Sequence, residues 1–148
     1  MNRREFCKTT STFVLLTLMS DELLADTQEI KHLEEFIKKY TQGRVFYRKL
    51  ISLDAPTVAE NGLVVPLRIS AKKDEKEKLF VKKISLYAPK NPSPKICSFT
   101  FSKRNGDFGF STRAKLARSQ HVVVLAELED GSFAYDFKYV KVTIGGCG

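Results

Sequence analysis

Residues Ile30, Leu33, Phe36, Ile37 and Tyr40 fall at offsets of 0, 3, 6, 7 and 10, the spacing that gathers side chains on one face of a helix. The pattern predicts an amphipathic helix from Gln28 to Tyr40, ended by Thr41-Gln42-Gly43. After Gly43 the period shortens. Runs rich in β-branched and aromatic residues, separated by turn signals, predict seven strands: Arg44 to Leu53, Gly62 to Ala71, Leu79 to Tyr87, Lys95 to Ser102, Gly109 to Lys115, Gln120 to Leu128 and Ser132 to Ile144. Lys72-Lys73-Asp74-Glu75-Lys76-Glu77-Lys78 reads as a solvated hairpin tip between the second and third of these. Three prolines within Pro89-Lys90-Asn91-Pro92-Ser93-Pro94 make a stiff connection, since proline neither continues a helix nor donates to a sheet ladder. Asp130-Gly131 between two alternating runs predicts an antiparallel hairpin of the last two strands. Within the last strand Phe133, Tyr135, Phe137 and Tyr139 share one phase while Val140, Val142 and Ile144 share the other, and a bulge near Tyr139 and Val140 is the simplest prediction. Short strands with no helix between them predict an all-β fold, an immunoglobulin-like two-sheet sandwich of about seven strands preceded by one helix.

The residues ahead of the helix read as an address. Arg3-Arg4 is followed by Phe6 and Lys8, and then by the apolar run Phe13 to Met19, which Asp21 and Glu22 stop after seven residues. A bilayer core needs roughly 20 apolar residues in a helix, so this segment predicts a twin-arginine-type export signal over residues 1–25 rather than an anchor. The mature domain is then 26–148, in the periplasm, exported folded. The alternative is a basic amphipathic start to a cytosolic helix.

The 148 residues carry 25 Lys and Arg against 17 Asp and Glu, a net charge of +8. Removal of residues 1–25 takes three charges of each sign and leaves that balance unchanged. With two histidines, and with no close-spaced pair among three cysteines, the chain is poorly supplied for a metal centre or a multi-histidine active site. No metal, cofactor, nucleic-acid partner or membrane partner is expected. Cys97 alternates in phase with Phe99 and Phe101, as a small buried hydrophobe would.

The chain finishes Ile144-Gly145-Gly146-Cys147-Gly148. Gly145, Gly146 and Gly148 surround one reactive side chain with a narrow, freely rotating backbone, which a core cysteine does not need. Four residues at up to about 3.5 Å each extend about 14 Å, far enough to enter a pocket in another protein. The residues 145–148 therefore read as a flexible arm that delivers the Cys147 thiol. The terminal carboxylate nearby raises the thiol pKa if anything, so activation has to come from a partner's pocket. A prenylation signal needs its cysteine four from the end, and the carboxylate chemistry of ubiquitin-like sulfur carriers needs a terminal Gly-Gly, so neither fits. A disulfide to Cys97 or to a second copy stays open.

These residues resemble the SoxY family, the carrier subunit of the SoxYZ complex in bacterial thiosulfate oxidation. The resemblance rests on the twin-arginine-like start, Ala59-Glu60-Asn61-Gly62 leading into Val65-Pro66-Leu67, Ser111-Thr112-Arg113 to Leu116-Ala117, Asp130-Gly131-Ser132-Phe133, and Val140 through Gly148. Family members usually carry one more glycine after Gly148. The resemblance implies an immunoglobulin-like sandwich working as a heterodimer with SoxZ, and a carrier that is not itself an enzyme. It implies that Cys147 is conjugated to thiosulfate by a c-type cytochrome complex, SoxAX, giving an S-thiosulfonate. The hydrolase SoxB then removes sulfate, and in some organisms the sulfur dehydrogenase SoxCD oxidises the remaining sulfane. On this reading Arg3, Arg4 and Phe6 serve export and the only bound group is the covalent sulfur on Cys147.

A periplasmic β-sandwich binding or assembly module, whose tail cysteine makes a structural or intermolecular disulfide, is the alternative. It does not explain glycines on both sides of the cysteine. A free-standing thiol enzyme ranks last, because no histidine is near Cys147 in sequence, although His32 or His121 can approach in space.

Overall fold

The computed structural model describes residues 27–44, 50–72, 80–102 and 108–145, and the chain divides into two units, residues 1–40 and 41–148. In the first, a helix over residues 27–41 (α1) forms where the apolar spacing predicts it. Only the centre of its stripe is buried: Leu33 and Ile37 are, whereas Ile30 and Tyr40 are exposed. Gln42 and Gly43 both turn to positive φ, 54° and 71°, which stops the helix by the left-handed route glycine favours.

The second unit is a sandwich of eight strands. They are β1 (Ile51–Asp54), β2 (Val58–Asn61), β3 (Val65–Ala71), β4 (Val81–Tyr87), β5 (Lys95–Thr100), β6 (Phe108–Ala114), β7 (Gln120–Leu128) and β8 (Phe133–Ile144). One sheet has the order β1-β3-β6, the other β2-β8-β7-β4-β5. Leu53, Leu67 and Ile69 of the first meet Ile84, Leu86, Val122 and Val124 of the second in one core. In β3 the alternation Val65, Leu67, Ile69, Ala71 is buried and the residues between are exposed, because only one face of its sheet is covered. The run Val122 to Ala126 of β7 is buried on both faces, which suits a central strand. Among the described residues no helix is long and apolar enough to cross a membrane.

Three details depart from the sequence expectations. β2 is an additional, short strand, and it pairs parallel with β8, with Val58 opposite Lys141 and Ala59 opposite Val142. The charged stretch after Ala71 is not a hairpin tip: β3 pairs with β1 and β6, β4 with β5 and β7, so it links strands of different sheets. Its residues 73–79 lie outside those described.

The predicted bulge in β8 is also absent. The β7–β8 register runs unbroken from Gln120 opposite Val140 to Glu127 opposite Phe133. The apolar phase flips because different parts of the strand are apolar on different faces. Ala134 and Val140 point into the core, while Phe133, Tyr135, Phe137 and Tyr139 take the outer face. There His121 meets Phe137 and Tyr139 edge-on, at 5.6 and 5.1 Å between ring centroids.

Asp136 takes an inward position of β8 and joins the sheets, its Oδ2 accepting the Leu53 backbone N–H at 2.8 Å and its Oδ1 that of Phe137 at 2.9 Å. The predicted β7–β8 hairpin is present, and its turn is fixed by Gly131 at φ 81° and by Asp130 Oδ1, which accepts the Ser132 N–H. The hydroxyl and amide of Ser132 hold the exposed Asp130 carboxyl below its ordinary pKa. Arg44 closes the same turn, donating to the Gly131 carbonyl at 2.9 Å and lying over the Phe133 ring at 5.1 Å.

Candidate functional site

Cys147, with Gly146 and Gly148, lies outside the described residues, as do Arg3, Arg4 and Phe6. The site is therefore approached through its root, where β8 ends at Ile144 and gives way to Gly145.

β8 changes partners as it nears that end. Its pairing with β7 stops at Val140 opposite Gln120, and from Lys141 onward its ladder runs to β2. The backbone N–H of Gly62 donates to the Ile144 carbonyl at 2.8 Å, and the Gly62 carbonyl accepts the Leu116 N–H at 2.7 Å. On the opposite side the Ser119 hydroxyl stands in for the missing strand, accepting the Val142 N–H at 2.9 Å and donating to the Val142 carbonyl at 3.3 Å.

The segment 115–119 is held from below by two buried amides. Asn91 Nδ2 donates to the Lys115 carbonyl at 2.8 Å, and Asn91 Oδ1 accepts the Ala117 N–H at 2.9 Å and Gln120 Nε2 at 2.8 Å. Gln120, fully buried, also donates to the Arg118 carbonyl and accepts the Lys90 N–H at 2.8 Å. No buried side-chain polar atom among the described residues lacks a partner, so the cluster is satisfied as well as enclosed. The segment ends against the tail: a Cβ on Gly145 would collide with the Ala117 carbonyl oxygen. Gly145 is thus required for close backbone approach, a role beyond the conformational freedom its position in the tail suggests.

Three of the segments singled out in the sequence meet here. Asn61-Gly62, Leu116-Ala117 and Val140 to Gly145 are far apart in the chain and are joined by the bonds just described. Around them Val58, Leu63, Val64 and Ile144 expose large apolar side chains, along β2, its following turn and the end of β8. The Asn91–Gln120 pair was not legible as part of the site. The prolines around Asn91 signalled a rigid connection, but nothing in the sequence placed it beside Gln120.

The other candidates lie elsewhere. Cys97 is a free, half-buried thiol on β5, an edge strand, opposite Leu86 of β4, and it packs against the core as its phase with Phe99 and Phe101 suggested. Burial pushes its pKa up, with Lys95 pulling the other way. His121 belongs to the outer aromatic row. A cleft of about 340 Å³ between Phe80, Lys82, Phe101 and Glu129 opens at the opposite end of the five-stranded sheet from Gly145. Among the described residues no group of His, Cys, Asp or Glu is arranged to hold a metal ion.

The fold is an immunoglobulin-like sandwich whose longest strand ends at Ile144. Its sequence matches the profile of the sulfur oxidation protein SoxY over residues 37–147, and the chain belongs to that family. Among solved structures it is similar to the sulfur carrier protein SoxY from Chlorobium limicola f thiosulfatophilum, with a TM-score of 0.55 and 24% identity over 76% of this chain and 96% of that one. The superoxide reductase neelaredoxin from Ignicoccus hospitalis aligns with a TM-score of 0.46 and 16% identity over 62% of this chain and 79% of that one. No curated protein matches the chain significantly.

Proposed function

We propose that the protein is a periplasmic sulfur carrier, which holds thiosulfate-derived sulfur covalently on Cys147 and presents it to the enzymes of a Sox system. The observation that carries this reading is the SoxY family match, which extends through Cys147. The sulfur carrier role of the Chlorobium SoxY supports it. A β-sandwich root ending beside a glycine-flanked cysteine suits the task, because a tethered anion has to enter several active sites without being released.

In the loading step the Cys147 Sγ bonds to the sulfane sulfur of thiosulfate. The thiol proton leaves to solvent, and two electrons leave to a c-type cytochrome complex, SoxAX. Water then attacks the sulfone sulfur in the hydrolase SoxB, releasing sulfate and two protons and leaving a persulfide anion on Cys147. The carrier supplies tether and position, and the partners supply the redox centre and the activated water. It works as a heterodimer with SoxZ, exported folded by the twin-arginine route that Arg3, Arg4 and Phe6 suggest, and a SoxCD branch acts on the persulfide where it is present. The exposed Val58, Leu63, Val64 and Ile144 offer the partners an apolar surface beside the root.

Cys147→Ser tests the reading. With thiosulfate and the cytochrome complex supplied, the wild type gains a reductant-labile mass and the variant none, while both keep the same melting temperature and partner binding. Loss of the fold or of partner binding in Cys147→Ser would make the cysteine structural and favour the cross-linked binding module.

A further inference from the structure

We propose that Ser119, Asn91 and Gln120 are positioning residues, which fix the point and direction at which the carrier tail leaves the sandwich and so set how partner enzymes meet Cys147. The inference rests on the carrier reading above. It starts from a mismatch. β8 outruns β7 by four residues, Lys141 to Ile144, and a strand end paired on one side only would be free to fray on the other. The Ser119 hydroxyl prevents this by engaging both backbone groups of Val142.

Ser119 can do so only if its own segment is held, and that is the work of the buried amides. Asn91 and Gln120 together bond to the backbone of Lys90, Lys115, Ala117 and Arg118, and to one another. A surface loop at a sheet end can satisfy these groups with water, so two enclosed carboxamides are a costly solution unless the loop has to stay in one place. What the loop touches at its far side is the tail. The Ala117 carbonyl lies against Gly145, leaving no room for a side chain. Chain geometry then keeps Cys147, two residues on, within about 7 Å of the root at Gly145, against about 10.5 Å for a tail free from Ile144. A shorter radius from a fixed origin raises the effective concentration of the cargo where a docked enzyme expects it.

The test compares the full-length wild type with Ser119→Ala and Ser119→Thr, each in complex with its partner subunit. Two rates at Cys147 are measured by peptide mapping: alkylation by iodoacetamide, which needs no docking, and thiosulfate loading by the cytochrome complex at varied carrier concentration. The proposal expects Ser119→Ala to keep the alkylation rate and to lower loading about tenfold, through KM rather than kcat, with Ser119→Thr restoring it. Asn91→Asp, which keeps the Oδ1 acceptor and loses the bond to the Lys115 carbonyl, gives the same split if Ser119→Ala melts below the assay temperature. Unchanged loading in Ser119→Ala, or a loss of both rates together, overturns the positioning role while the carrier reading stands. A wild type that takes no sulfur at Cys147 overturns both.

Discussion

The carbonyl oxygen of Ala117 occupies the space that a side chain at Gly145 would need. Gly145→Ala therefore has to displace either the 115–119 segment or the end of β8. The expected cost is about 1–3 kcal/mol of unfolding free energy, measured by urea denaturation. The Gly62 N–H, which bonds to the Ile144 carbonyl next to it, should lose protection from hydrogen exchange. Gly109→Ala is the control, because a Cβ there meets only ordinary contacts, 3.5 Å from the Ile69 carbonyl and 3.9 Å from the Ser70 Cβ. It should change stability by no more than about 1 kcal/mol.

Asp136 is a polar link between the sheets, and its removal should be felt through Leu53. Asp136→Ala leaves the part-buried Leu53 N–H without its acceptor, and should cost about 1–3 kcal/mol in urea unfolding. Asp136→Asn keeps an oxygen in place and should cost less. Equal losses in the two variants would show that the charge, not the hydrogen-bond geometry, holds the sheets together.

The Cys97 thiol should make stability depend on pH. Burial raises the pKa of Cys97 above its ordinary value, so folding favours the neutral thiol. Its contribution to stability is then fully present below about pH 8.5, the value for an unfolded chain, and is lost as pH rises through the higher folded value. Wild type minus Cys97→Ala stability, followed by urea unfolding between pH 7 and 10, should fall with pH (on the order of the ordinary thiol range). At neutral pH iodoacetamide should label Cys97 slowly, since burial holds it as the unreactive thiol.

Much of the architecture could be read in the chain. The 3.6-residue spacing of Leu33 and Ile37, the stop at Gln42-Gly43 and the Asp130-Gly131 turn are local signals, and each specifies its own element. β2 escaped because a four-residue edge strand with the sequence Val-Ala-Glu-Asn has no period of its own and exists through its pairing with β8. The phase change in β8 was visible, but its cause was not. An aromatic row on the outer face and a bulge leave the same trace in a sequence, and only the unbroken register opposite β7 separates them. At the site, the Gly-Cys-Gly pattern pointed to the tail, whose residues 146–148 lie outside those described. Its supports, Ser119, Asn91 and Gln120, are polar residues at turns and strand starts whose meaning lies in long-range contacts.

The most direct measurement is the intact mass of the protein purified from its cells, with and without reductant, followed by fragmentation of the C-terminal peptide. A reductant-labile addition of sulfur or thiosulfate on Cys147, with Cys97 unmodified, is the predicted result. A disulfide between Cys97 and Cys147, or a tail that stays bare when thiosulfate and the loading enzymes are supplied, would contradict the carrier function.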